Sequence, residues 1–190
     1  MLQQIASFLV GVVASFLIYA LLARFLFQWL RAPFRNVLGE FIIAVTNWMV
    51  VPARRVIPSL GGLDLASLLL AWLLQAATLC LLYVIGGRDL SSAPGIAAAI
   101  LAGLALLDLV RYTVYFLVFA LIVQAVLSWV SPYSPLAPIF DALTRRFLRP
   151  IRRFVPPLAN VDLSPLVLIV LLQVMLIPLE RLSALVGGLF

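Results

Sequence analysis

The sequence contains no histidine and no lysine, a single cysteine, and only 11% charged residues over 190 positions. An ordinary soluble domain carries about 25% charged residues. Without histidine, a His-ligated haem, the usual zinc sites and a Ser-His-Asp triad are all excluded. One cysteine cannot form an internal disulfide, and Cys80 lies inside an apolar run, so the redox compartment is not readable from it. No nucleophile-base pair is visible, and an intramembrane enzyme is the weakest of the functional readings. No metal or cofactor is expected.

What the chain has in excess is apolar side chain: 65% of residues are hydrophobic and the mean hydropathy is +1.21. Soluble domains average about 45–50% apolar residues, and a chain this short cannot hide the surplus. The composition excludes a water-soluble enzyme and a disordered chain, and predicts an integral membrane protein. Four runs, about 3–30, 64–86, 103–130 and 162–185, are each long enough for a span of ~20 residues. The first is not read as a signal peptide. No basic residue precedes it, it is too long for an h-region, and Arg24, Arg31 and Arg35 follow it. It is read as a retained span with its amino end outside.

All 13 basic residues are arginines, the net charge is +6, and ten of the arginines fall within 24–63 and 131–161. In a soluble protein such a balance would suggest nucleic acid. Here the arginines flank apolar runs, so anionic lipid headgroups are the expected counter-charge and no nucleic-acid partner is expected.

The two arginine-rich connectors belong to an internal duplication. Positions 44–75 align without a gap to 142–173, and fourteen of the 32 pairs are identical, among them Thr46/Thr144, Pro52/Pro150, Arg54/Arg152, Arg55/Arg153, Asp64/Asp162 and Gln75/Gln173. Upstream, Arg24 and Trp29 match Gln124 and Trp129. The expected units are residues 1–86, a linker at 87–102, and residues 103–190. The positive-inside rule places both connectors in the cytoplasm, which requires an even number of crossings between them. The fold class expected is therefore all-α, with four transmembrane helices arranged as two tandem, parallel-oriented helical hairpins. Both termini lie in the periplasm of a bacterial inner-membrane protein. Residues 94–107 are then an outer interfacial helix or an extension of span three, with Gly103 or the Asp108/Arg111 pair as the boundary.

Within 136–155, Leu136, Ile139, Phe140, Leu143, Phe147, Leu148 and Ile151 share one helical side, while Asp141, Arg145, Arg149, Arg152 and Arg153 fall largely on the other. That is the pattern of an interfacial amphipathic helix with arginines reaching toward phosphates. Segment 37–51 is more apolar and is read as interfacial in preference to re-entrant, with Pro52 ending it. Each Pro-x-Arg-Arg-x-x-Pro motif holds an arginine pair on stiff chain. Arg54, Arg55, Arg145, Arg149, Arg152 and Arg153 are the candidate contacts to anionic lipid or to a membrane-protein partner. Their blander role is topological anchoring. Gly62 and Asn160 mark turns, and Asp64 and Asp162 are read as helix caps able to pair with nearby arginines. Gln75 and Gln173 fall about 16 Å into their spans, where an amide bonds a neighbouring helix; the two could face one another. Arg24 lies near the inner end of span one and could snorkel.

The doubled Pro-x-Arg-Arg-x-x-Pro, the Gly/Asn turn, the Asp-Leu that follows, and the tryptophans closing spans one and three resemble the YggT family of small bacterial and plastid membrane proteins. The segment Phe27-Gln28-Trp29-Leu30-Arg31-Ala32-Pro33-Phe34-Arg35 is similar to its proteobacterial members. The resemblance implies a link to osmotic-stress tolerance and cell-division gene neighbourhoods. For plastid relatives it implies a part in maturing a b-type cytochrome by haem attachment. This chain has no residue to carry haem ligation itself. The expected function is a non-enzymatic assembly or organising factor that binds anionic lipid or a membrane-protein partner through its connectors, with a homo-oligomer compatible with so short a chain. The alternative is a small oligomeric channel or transporter using Asp64/Asp162 and Gln75/Gln173.

Overall fold

Inside hydrocarbon every backbone N–H and C=O must be satisfied within its own segment, and a helix does this locally. The computed structural model describes residues 1–57, 62–87, 94–131, 133–154 and 162–188, and among them all regular structure is helical. The order is α1 (Leu2–Trp29), α2 (Val37–Ala53), α3 (Leu65–Ile85), α4 (Pro94–Val130), α5 (Ala137–Phe154) and α6 (Ser164–Gly187). Helices α1, α3, α4 and α6 are long and apolar enough to cross a bilayer. Helices α2 and α5 are the two connectors. Pro58 and Pro156 of the two Pro-x-Arg-Arg-x-x-Pro motifs, Asn160 and the Trp129 side chain lie outside the described residues.

Residues 94–107 are the opening turns of α4, a single 37-residue helix. Position 103 is therefore not an element boundary. A lone glycine costs a helix about 1 kcal/mol relative to alanine, too little to break one, and nothing lies within 4 Å of where a Gly103 Cβ would stand. The Asp108/Arg111 pair lies one and two turns further on and leaves the helix unbroken.

Three apolar clusters hold the bundle. Ala14, Ile18, Leu21 and Leu22 of α1 meet Val50 of α2, Ala66 and Ala71 of α3, and Leu109 of α4. The alanines let helix backbones approach closely where lipid offers no hydrophobic drive. Val114, Leu117 and Leu121 of α4 pack with Leu148 of α5 and Leu168 and Leu172 of α6. The third cluster joins Ala23, Leu26 and Phe27 of α1, Ile42 of α2, Ala120 of α4, and Ile139, Phe140 and Leu143 of α5. Both connector helices therefore pack at one end of the bundle, against the C-terminal halves of α1 and α4.

Each connector applies a single stripe to that end. Helix α5 buries Ile139, Phe140, Leu143, Thr144 and Leu148 and leaves Arg145, Arg149, Arg152 and Arg153 exposed. Helix α2 buries Gly39, Ile42, Thr46 and Val50 and turns Phe41, Trp48 and Val51 outward. The prolines fall inside the last turns of these helices. Helix α2 runs one residue past Pro52, and α5 runs through Pro150 to Phe154. A proline removes one intrahelical hydrogen bond, and near a helix end the remaining bonds are enough to carry the chain on.

Asn36 caps α2, its Oδ1 accepting the Gly39 N–H at 2.8 Å. The turn leading in crosses Gly39 so closely that a Cβ there would lie 2.8 Å from the Phe34 carbonyl carbon. Gly39→Ala should therefore open this turn and destabilise the protein by about 1–3 kcal/mol. Gly103→Ala should be neutral or stabilising by up to about 1 kcal/mol. Thermal melting of both variants in detergent checks the contrast.

Candidate functional site

At the connector end, the Asp64 carboxylate is only 1% exposed yet collects donors from three helices. It caps α3 by accepting the Ser67 N–H at 3.4 Å and the Ser67 hydroxyl at 2.7 Å. Arg54, just past α2, reaches both carboxylate oxygens through Nε (3.3 Å) and Nη2 (2.5 Å). Arg24 of α1 approaches from the other side, Nε to Oδ2 at 3.4 Å. Arg24 is itself 5% exposed and does not snorkel. Its Nη1 donates to Thr46 Oγ1 at 2.8 Å and Asn47 Oδ1 at 2.9 Å, while the Thr46 hydroxyl donates to the Ile42 carbonyl at 2.6 Å. Buried acceptors placed close by remove the need to reach for water.

The second half uses the aligned residues with a lighter hand. Arg152 pairs with Asp162 through Nε (2.9 Å) and Nη2 (2.8 Å), both groups partly exposed. Asp162 accepts the Ser164 N–H at 2.9 Å, but Leu163, not Asp162, is the capping position of α6. The place of Arg24 is taken by Gln124, whose amide meets the Thr144 hydroxyl. Both carboxylates precede the first residue of their spans. At each, burial works to raise the pKa, but hydrogen bonds and charge outweigh it and hold the carboxyl below its ordinary value. The opposing groups are Arg54 and Ser67 at Asp64, and Ser164 and Arg152 at Asp162.

The six candidate arginines thus divide. Arg54 and Arg152 are engaged by Asp64 and Asp162, and Arg145 by Asp141 one helical turn away, which raises the Arg145 pKa. Arg55, Arg149 and Arg153 are exposed, with no ion-pair partner among the described residues. Arg145 and Arg149 also line a cavity of about 960 Å³ between α5, the end of α1 and the turn into α3. Its other walls are Gln28, Trp29, Leu30 and Arg31 at the end of α1, Gly62 and Leu63, and Ala142 and Arg146 of α5. Gln28 Nε2 ties α1 to the Gly62 carbonyl at 2.7 Å, and Gly62 takes φ +81° to turn into α3. The Arg146 guanidinium lies 5.4 Å from the Trp29 ring centroid.

Arg31 is unusual among these. Its N–H donates to the Gln28 carbonyl at 3.2 Å and the Ala32 N–H to the Phe27 carbonyl at 2.8 Å. This paired closure normally places glycine at the left-handed position. Here Arg31 occupies it, at φ 55°. A Cβ in that conformation costs about 1–2 kcal/mol. Sequence reading missed Arg31 and Arg146 as site residues. The signal available was that a helix C-terminus before Ala-Pro requires a turn residue, and arginine stands in it.

The two mid-span glutamines are not equivalent. Gln75 is buried between α3 and α4 and donates to Asp108 Oδ2 at 2.7 Å, while Asp108 Oδ1 receives Arg111 Nη2 at 2.7 Å. Asp108 therefore belongs to the α3–α4 interior, with Arg111 half-buried beside it. Gln173 lies on the exposed side of α6, with no hydrogen-bond partner among the described residues, so the two amides do not face each other.

Three outcomes follow from this geometry. Asp64→Asn leaves the buried Arg24 without its counter-charge and should destabilise by about 3–5 kcal/mol, whereas Asp162→Asn should cost about 1 kcal/mol or less; melting temperatures in detergent compare them. Both folded carboxyl pKa values are depressed, so their stabilisation is complete above the ordinary value of about 4 and is lost as pH falls through the lower folded values. A pH series should show the acid-side decline, and Asp64→Asn should flatten it. Gln75→Leu should destabilise by about 1–2 kcal/mol, and Gln173→Leu should leave the melting temperature unchanged or higher.

Comparison with known proteins sets this architecture among relatives. The family model described as CCB3/YggT matches residues 3–93 and again 103–183. An uncharacterised Vibrio alginolyticus protein from the proC 3′ region is 36% identical over 168 residues, covering 88% of this chain and 89% of its own length. An uncharacterised Pseudomonas aeruginosa protein is 33% identical over 192 residues, covering 98% and 94%. The uncharacterised protein YggT of Escherichia coli K12 is 36% identical over 170 residues, covering 88% and 85%. No solved structure matches the chain. With four apolar helices and a family match along both halves, the chain belongs to the CCB3/YggT family of membrane proteins.

Proposed function

We propose that the protein is a non-enzymatic organising factor of the bacterial inner membrane. Its two connectors bind anionic phospholipid at the cytoplasmic leaflet and thereby position or assemble other membrane proteins. The observation that carries this reading is the division of the arginines. Some are spent on building the connector end, and Arg55, Arg149 and Arg153 project from it with no protein counter-charge among the described residues. An arginine beside an anionic leaflet contributes about 1 kcal/mol of attraction, and its planar fork suits phosphate oxygens. The same charges orient the chain, which gives periplasmic termini by the positive-inside rule. Osmotic-stress tolerance and cell division are processes in which such an organiser would act.

A small channel or transporter has less support from the geometry. Asp64 is saturated by two arginines, Gln75 is held by Asp108, and Gln173 points away from the bundle interior, so the four polar residues do not line one path.

Arg55→Gln with Arg153→Gln should lower the anionic-lipid fraction that co-purifies by about threefold or more while leaving the melting temperature within a degree or two. Unchanged lipid together with loss of a crosslinked membrane protein would favour a protein partner over lipid. In a Cys80→Ala background, a cysteine at Gly87 should label from the periplasm and one at Val56 only after the cytoplasmic side is opened. Labelling of Val56→Cys from outside would refute the orientation. Reconstituted protein should show no ion or solute flux.

A further inference from the structure

The connector-end cavity has features that a merely solvated cleft lacks. Four arginines, Arg31, Arg145, Arg146 and Arg149, line its wall, and only Arg145 carries a carboxylate partner among the described residues, Asp141. Three positive charges therefore face a volume of about 960 Å³ without an acidic residue among the lining groups. That volume lies at the upper end of small-molecule sites. The lining is not uniformly polar: Trp29, Leu30, Leu63 and Ala142 form an apolar portion, and tryptophan is the side chain that settles at the boundary between headgroups and hydrocarbon. The carbonyl of Gly62, an acceptor that would repel an anion, is already taken by Gln28.

Arg31 gives the second, independent observation. Glycine would close α1 more easily, but the sequence places an arginine in the left-handed position, and that residue lines the cavity. A residue kept in a sparsely populated conformation beside a charged cleft points to a role for its side chain.

We infer that this cavity is a binding site for a ligand bearing two phosphate groups, held by Arg31, Arg146 and Arg149 with Trp29 against its apolar part. One phosphodiester would leave two guanidinium charges uncompensated, whereas two phosphates joined by a short linker approach neutrality and can each accept bidentate hydrogen bonds. The apolar portion of the wall favours a membrane source, a lipid whose headgroup joins two phosphodiesters, over a soluble diphosphate. The inference deepens the proposed lipid-binding role and rests on it.

The test uses the full chain purified in detergent and stripped of lipid. Diphosphatidylglycerol, phosphatidylglycerol, phosphatidylcholine and inorganic pyrophosphate are added separately, and bound ligand is counted by native mass spectrometry. Wild type should retain diphosphatidylglycerol about tenfold more tightly than phosphatidylglycerol. Arg31→Gly with Arg149→Gln should remove that preference. Arg31→Gly alone should weaken retention while leaving the melting temperature equal or higher, since glycine relieves the left-handed strain; loss of binding then cannot be loss of fold. Arg55→Gln with Arg153→Gln, outside the cavity, should leave the preference within about twofold. Pyrophosphate retained in place of lipid and lost in the same variants would support the paired-phosphate site and assign it a soluble ligand. Equal retention of the two anionic lipids, or a preference insensitive to Arg31 and Arg149, would overturn the cavity site and leave general anionic-lipid binding intact. Absence of both anionic-lipid and pyrophosphate retention by wild type would overturn the cavity site and the proposed lipid-binding role together.

Discussion

A carboxylate that loses contact with water must be surrounded by donors, and in this protein the Asp64 carboxylate draws them from three separate helices. The span α1 contributes Arg24, the end of α2 contributes Arg54, and α3 contributes Ser67. Arg24 is buried as well, so separating it from Asp64 would leave a buried charge without its counter-charge, a penalty of several kcal/mol. The interaction therefore sets where α2 enters the bundle and where α3 begins. Because α2 and α5 share one apolar cluster at the same end, the position of the second connector follows from that of the first.

The two halves carry the same arginine–aspartate pair but do not use it in the same way. In the first, the carboxylate is closed from solvent and reinforced from the span by Arg24. In the second it is half open, and Gln124 brings no charge to it. The first half is thus the more rigid frame, and the second leaves α5 with a charged face toward the outside of the bundle. Gln75 and Gln173 repeat the contrast: one is locked onto Asp108 inside, the other lies at the surface. The aligned residues are divided between holding the structure and presenting a surface.

Much of the fold could be read from the residues, because its main determinants are local or compositional. Long apolar runs report helices that cross a bilayer, and the spacing of Ile139, Phe140, Leu143 and Leu148 reports the buried stripe of α5. The pairing of Arg54 with Asp64 was legible from ten-residue proximity and opposite charge. What escaped depends on how distant helices lie against each other. Asp108 resembles a boundary residue until α4 is placed beside Gln75. Arg24 resembles a snorkelling residue until Thr46 and Asn47 are brought to it. The cavity joins residues more than a hundred positions apart, and no local pattern announces Arg31 as a part of it.

The length of α4 has a mechanical side. At about 1.5 Å per residue its 37 residues extend about 55 Å, nearly twice the roughly 30 Å thickness of a hydrocarbon core. A rod of that length standing upright would push apolar turns into water, so it leans or protrudes. Helices α3, α5 and α6 all rest on this rod, and whatever angle the surrounding lipid imposes on it is transmitted to all three at once.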